Sequence, residues 1–262
     1  MNFAFSEEQV ELRKVAADFL TNKSAEADVR ALMETDEGYD PAVWSQMAEQ
    51  LGLQGLAIPE EYGGSGYSYV ELCVIFEEMG RRLLCAPFFS TVALAANALL
   101  HSGDDDAKAR YLPGIASGET IATVAFTEEN GRWDESGIEM EAAASDQGHT
   151  LTGTKSYVID GHIASLILVA ARTPEGVSLF AVDGDASGLG RTPLSTMDQT
   201  RKQAKLDFDN TPATLIGAAG SGWDTLRTML QLAVVALASE QMGGAQECLD
   251  SAVQYAKDRV QF

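Results

Sequence analysis

Apolar residues in the first hundred positions recur at helical spacing. Leu12, Val15, Ala16 and Phe19 fall at i, i+3, i+4 and i+7, the stripe of an amphipathic helix. Ser6-Glu7-Glu8-Gln9 precedes them as a capping box, a pattern in which two side chains satisfy backbone N–H groups at the helix start. Asp40-Pro41 supplies favoured N-cap and N1 residues for a second helix. Val43, Trp44, Met47, Ala48 and Leu51 line its face, and Gly52 is placed to end it. Ser68-Tyr69-Val70-Glu71 is another capping box, backed by Leu72, Ile75, Phe76 and Met79. Residues 87–100 are apolar nearly all round, which predicts a helix buried on several sides.

The period changes near Ser117. "TIATVAF" is β-branched and apolar, and "IEMEAAASDQGHTLTGTKSYVIDG" alternates about the turn Asp146-Gln147-Gly148. "SLILVAART" and "VSLFAVD" flank a Pro174-Glu175-Gly176 turn, and "AKLDFDN" is one more alternating strand. After the glycine-rich link at 217–222 the helical period returns. Leu226, Met229, Leu230, Ala233, Leu237, Met242, Ala245, Leu249, Val253 and Ala256 carry it to the last residues. That is about forty residues, roughly 60 Å at the helical rise. These patterns predict an α+β multidomain chain. Residues 1–117 form an all-α domain, 118–215 a barrel- or sandwich-like β domain, and 216–262 the start of a C-terminal helical bundle. A helix of that length needs partner helices, and "YAKDRVQF" ends without a cap. The expectation is therefore a chain whose C-terminal helices lie outside this sequence.

Composition narrows the class. A 45% apolar and 22% charged chain of 262 residues has the balance of a globular protein. The formal charge of −21 opposes nucleic acid and anionic lipid, so neither is expected as a partner. No apolar run reaches spanning length, and the opening "MNFAFSEEQVELRK" lacks the regions of a signal peptide. Cys73, Cys85 and Cys248 lie far apart in apolar helical patterns, read as reduced core thiols in a cytoplasmic protein. His101, His149 and His162 share no metal-ligand spacing, so no metal site is expected. Residues 148–156, "GHTLTGTKS", miss the phosphate-loop pattern by one inserted residue and alternate like a strand.

Four stretches, in order, resemble the acyl-CoA dehydrogenase family of flavoproteins. They are "LGLQGLAIPEEYGGSGYSYVELCVIFEEMGR", "VAFTEE", "LTGTKSYVIDGHIASLILVAART" and "LDSAVQYAKDRVQF". The second stands where the family has a strand continuing as T-E-P-G-A-G-S-D. The third stands at its flavin-facing W-I-T-N segment, and the fourth at the helix ending R-x-Q-F-G. The family's chains usually continue beyond this point to close a four-helix bundle. The resemblance implies FAD as cofactor and an acyl-CoA thioester as substrate. The α-proton goes to a carboxylate and the β-hydride to the flavin, introducing an α,β double bond. It also implies an electron-transfer flavoprotein as electron acceptor.

The same resemblance implies residue roles. Phe126 and Thr127 would lie along the flavin ring, with Thr127 hydrogen-bonding its edge. Tyr157, Val158 and Ile159 occupy the W-I-T positions. Ile159 has no hydroxyl, so a hydrogen bond to the flavin there would come from a backbone amide. Arg259, Gln261 and Phe262 match R-x-[QT]-F, where the arginine reaches the FAD diphosphate of a neighbouring subunit. A guanidinium fork suits phosphate oxygens, and a shared site makes the protein a homo- or hetero-oligomer, dimer or tetramer.

Departures qualify the picture. "TEENGRWD" replaces the T-E-P motif, and Trp133 at its serine position reshapes the substrate mouth. Gln231 and Val234 stand where many members place aspartate and arginine toward CoA. Ala233 stands where some carry the catalytic glutamate. No catalytic base is assigned, and Glu240 is read as an internal polar contact. The rival expectation is a non-catalytic subunit that completes a partner's FAD site in a heteromer.

Overall fold

The computed structural model describes residues 4–145 and 148–260. Helices α1 (Glu7–Lys23), α2 (Glu26–Met33), α3 (Pro41–Glu49) and α4 (Tyr69–Arg82) open the chain. Both capping boxes form: Ser6 Oγ accepts from the Gln9 N–H, and Ser68 Oγ from the Val70 N–H. The Asp40 carboxylate caps α3 through the Ala42 and Val43 N–H groups. Residues Phe89–Ala96 form a π-helical segment buried on all sides, continuing into α5 (Asn97–Leu100). Helix α6 (Asp105–Ala116) closes the helical part.

Among the described residues seven strands follow: β1 (Ala122–Ala125), β2 (Glu141–Ser145), β3 (Gly148–Ile159), β4 (Leu166–Thr173), β5 (Gly176–Asp183), β6 (Leu189–Leu194) and β7 (Gln203–Ile216). Strand β4 pairs with β2 and β5, β5 and β3 both pair with β7, and β3 pairs with β2. The five strands β2, β3, β7, β5 and β4 therefore close into a ring without an edge of its own. β1 adds to β4 in parallel, and β6 adds to β7. The expected turn residues Asp146 and Gln147 lie outside the described residues.

The helical part and the barrel are tied by a buried hydroxyl. Thr91 Oγ1 donates to the Ala122 carbonyl and accepts from its N–H, at 3.2 and 3.1 Å. Within the barrel, Thr123 Oγ1 of β1 donates to the Ile159 carbonyl at the end of β3 at 2.6 Å. One apolar core runs through both parts, from Leu20 and Met47 to Phe180 and Leu206.

Helix α7 (Gly222–Asp258) has 37 residues, about 55 Å at 1.5 Å per residue. It lies along α4, and two glycines let the backbones touch. A Cβ on Gly80 would stand 1.9 Å from the Glu240 carbonyl oxygen, and one on Gly243 would stand 1.8 Å from that of Glu77. Gly80→Ala or Gly243→Ala is expected to cost about 1–2 kcal/mol by overpacking, read as a lower urea midpoint. Gly244→Ala is the control. Its Cβ has only the Gly80 carbonyl oxygen near it, at 3.6 Å, so better helix propensity should make it neutral or stabilising by up to about 1 kcal/mol.

The cysteines depart from expectation. Cys85 is buried, but it sits in the loop after α4, and burial pushes its thiol up to about 11. Cys248 is exposed on α7 rather than a core thiol. Its neighbours Glu247 and Asp250 face Arg81 across the α4 contact, while position 248 turns away. No helix among the described residues is long and apolar enough to cross a membrane.

Candidate active site

Two segments distant in sequence meet at one cavity. Residues 126–127 follow β1, and residues 156–159 end β3. The Ser156 N–H donates to the Thr127 carbonyl at 2.9 Å, which locks the segments side by side. Behind them lies a buried ion pair: Lys155 Nζ donates to Glu128 Oε1 at 2.6 Å. Glu128 Oε1 also accepts the Glu139 and Met140 N–H groups, at 3.1 and 3.0 Å.

The pairing of β3 with β7 slips between Lys155 and Val158. Such a bulge re-aims the side chains it contains. Tyr157 adopts φ +57°, a strained region for a bulky residue, and the residue is 60% exposed. Asp160, three residues on, also has positive φ, at +53°. Strain concentrated in one short stretch on a cavity wall is a pattern of functional sites.

The cavity has two communicating chambers. The inner one, about 310 Å³, is lined by Leu94, Val124, Phe126, Thr127, Ser156, Tyr157, Val158 and Ile159. The hydroxyls of Thr127 and Ser156 make no hydrogen bond to any described residue. An apolar slot with two unspent hydroxyls fits a flat aromatic ring system with a polar edge, so these residues suit a flavin. The outer chamber, about 610 Å³, adds Phe89, Arg201, Leu230, Ala233, Val234 and Leu237. Trp133, Phe126 and Gln203 border both. Trp133 is 66% exposed and packs edge-on to Phe126 with centroids 5.3 Å apart.

Phe126, Thr127, Tyr157, Val158, Ile159 and Trp133 are thus brought together. Arg259 is not. It follows the last turn of α7, about 30 Å beyond Leu237 along the axis. There its Nη1 donates to Tyr255 Oη and its guanidinium lies 5.4 Å from the Tyr255 ring centroid. It does not reach the cavity of its own chain. Gln261 and Phe262 lie outside the described residues. Glu240 is an internal polar contact, paired with Arg201 Nη2 at 2.6 and 2.8 Å. Asp198 is the only carboxylate among the described residues lining either chamber, and its Oδ1 accepts from the Thr200 N–H and hydroxyl.

Sequence reasoning did not single out Arg201, Ser156, Leu94 or Gln203. Arg201 belongs to the stretch between β6 and β7, where a lone arginine carries no periodic signal, and Gln203 opens β7.

The comparisons agree with this geometry. Family models for the acyl-CoA dehydrogenase N-terminal, middle and C-terminal domains match residues 6–119, 123–211 and 220–262. The chain is 33% identical over 257 residues to acyl-CoA dehydrogenase IpdE2 of Mycolicibacterium smegmatis, covering 98% of this chain and 67% of that one. The structure of butyryl-CoA dehydrogenase from Megasphaera elsdenii superposes with a TM-score of 0.90 at 26% identity, over 100% of this chain and 72% of that one. The ChsE4–ChsE5 complex from Mycobacterium tuberculosis contains a chain matching at TM-score 0.87 and 26% identity, over 100% and 70% of the two lengths. The chain spans about two thirds of the length of the curated relatives it matches. With matches along nearly its whole length and a cavity to suit, it belongs to the acyl-CoA dehydrogenase family, FAD-dependent oxidoreductases acting on the CH–CH group of acyl-CoA thioesters.

Proposed function

We propose that this chain binds FAD in the inner chamber and an acyl-CoA thioester in the outer one, forming an α,β double bond in the acyl group. Bound FAD supplies the hydride acceptor. The observation that carries this reading is the convergence of residues 126–127 and 156–159 on one chamber beside the apolar face of α7. In it, Thr127 and Ser156 hydrogen-bond the polar edge of the ring. Phe126, Val158 and Ile159 form its apolar wall, and Tyr157 flanks it. Trp133 shapes the substrate mouth. Arg259, with Gln261 and Phe262, serves the diphosphate of another subunit's cofactor, a reading supported by the distance of Arg259 from the cavity of its own chain. Electrons leave to an electron-transfer flavoprotein in the cytoplasm. Asp198, the one carboxylate among the described lining residues, is engaged by Thr200 through Oδ1, so in this reading the proton-accepting base is supplied from outside the lining residues.

That last point also favours a second reading. Ala233 and Val234 face the outer chamber where other members carry ionisable groups, which suits a non-catalytic subunit in a heteromer. One preparation separates the readings. The purified protein is loaded with FAD and its visible spectrum followed as acyl-CoA is added. Bound flavin that bleaches supports the first reading. Colour that appears only with a partner subunit supports the second. A chain that binds no flavin under either condition overturns both. The double variant Thr127→Val, Ser156→Ala is expected to weaken FAD binding about ten-fold, the loss of roughly one or two net hydrogen bonds. Fluorescence titration of FAD checks it.

A further inference from the structure

Arg201 stands on the wall of the outer chamber, between β6 and β7. Its guanidinium lies over the Phe89 ring, 4.6 Å from the centroid. Its Nη2 alone contacts both carboxylate oxygens of Glu240. The Glu240 backbone is itself fixed by the close approach of Gly80 on α4. The planar cation is therefore held from two sides, by an aromatic face and by an anchored carboxylate.

A guanidinium carries five N–H donors. Nε and Nη1 have no hydrogen-bond partner among the described residues, and the side chain keeps 27% of its exposure. Leu230, Ala233, Val234 and Leu237 of α7 make one side of its chamber apolar, and Asp198 and Gln203 are among the polar residues on the rest of the lining. Spare charged donors beside an apolar wall call for an acceptor carried by whatever fills the chamber.

Local charge decides which acceptor. Glu240 already balances Arg201. Asp198 lines the same chamber, and Asp160 lies close enough to feel the Arg201 charge. A carboxylate on the acyl group would face these acids, whereas a neutral oxygen would not. We propose that Arg201 is a specificity residue, selecting acyl-CoA thioesters whose acyl group bears a neutral oxygen acceptor, a keto group, remote from the thioester. The inference rests on the acyl-CoA reading above.

The test compares octanoyl-CoA with a series of oxo-octanoyl-CoA analogues, the keto group moved stepwise outward from mid-chain. Binding to the FAD-loaded protein is measured by calorimetry. At least one analogue should bind about ten-fold tighter than octanoyl-CoA. A site built to hydrogen-bond a polar group penalises the ligand that lacks it. In Arg201→Met the preference should vanish while octanoyl-CoA binding changes little. In Glu240→Gln the preference should persist, because the donors remain. If Arg201 merely latches its loop to α7, both variants weaken every thioester alike, and the proposal fails. Equal binding of all thioesters to the wild type also overturns it, and leaves the acyl-CoA reading standing. Binding of none sinks both.

Discussion

Glu128→Ala is expected to destabilise the protein by about 3–5 kcal/mol, the usual cost of stranding one member of a buried ion pair. Glu128 is the only described hydrogen-bond partner of Lys155 Nζ, and the Lys155 side chain is fully buried. Burial already pulls the Lys155 ammonium below its ordinary range, and Glu128 pulls it partly back. Without Glu128 the amine would fold neutral near pH 7 while the unfolded chain keeps it protonated. Stability rises with pH wherever the unfolded state binds more protons, so the variant should gain stability from about pH 7 toward the ordinary lysine range near 10.4. Lys155→Met should cost less, because Glu128 keeps two backbone N–H donors, from Glu139 and Met140. Joined to Glu128→Gln it should recover part of the loss, as apolar replacement of a buried pair often does. Urea melts at two pH values check both the order and the slope. The pair also sets the site, because it lies between the segments that carry Thr127 and Ser156. FAD affinity should therefore fall with stability in the single variants and return in the double one. Equal losses for Glu128→Ala and Lys155→Met, with no change in pH slope, would refute this account.

How much of this was legible in sequence depends on the range of the interaction. Capping boxes act over three residues, so Ser6 and Ser68 announced α1 and α4 correctly. The turn at residues 174–176 announced the β4–β5 hairpin in the same way. Helices α2 and α6 were not singled out: each is short and buries only a few residues, so its stripe is faint. Residues 87–100 were read as buried helix, but a uniformly apolar run has no period from which a π-helical register could be read. Strand β6 went unseen because Gly190 and Pro193 argue against a strand. It pairs only with β7, and proline is tolerated in such outer strands. The β7 strand runs Gln203–Ile216, longer than the alternating stretch "AKLDFDN" from which it was read. The family likeness pointed to Phe126, Thr127 and the 157–159 stretch, which line one cavity. It could not show the bulge that turns Tyr157 outward, because that depends on pairing with β7. Nor could it reveal the Arg201–Glu240 pair, whose partners are 39 positions apart.

Asp160→Asn is expected to stabilise the protein by about 2–3 kcal/mol at pH 8 and to have almost no effect near pH 4. The Asp160 carboxyl is buried and accepts from Ser90 Oγ at 2.6 Å. Desolvation pushes it up to about 6, against smaller opposing effects from Ser90 and Arg201. Arg201 and Cys85 are charged or titratable groups that interact electrostatically with it. Lys202 touches it only through its backbone carbonyl, which accepts the Asp160 N–H at 2.9 Å. Because the folded value lies above the unfolded one, the group's contribution is fully present below about pH 3.9 and is lost as pH rises through about 6. A shift of roughly two units corresponds to about 3 kcal/mol. Asparagine removes the ionisation and keeps an oxygen for Ser90, and the family's W-I-T-N pattern places asparagine at this position. The wild type should therefore lose stability between pH 4 and 7 relative to the variant, and the two urea-midpoint curves should converge at the acid end. Parallel curves would mean that the carboxyl ionises in the folded protein as it does in water. Ser90→Ala supplies the cross-check. Removing the hydrogen bond that favours the charged form should move the wild-type transition to higher pH, whereas in the Asp160→Asn background it should leave the pH profile unchanged.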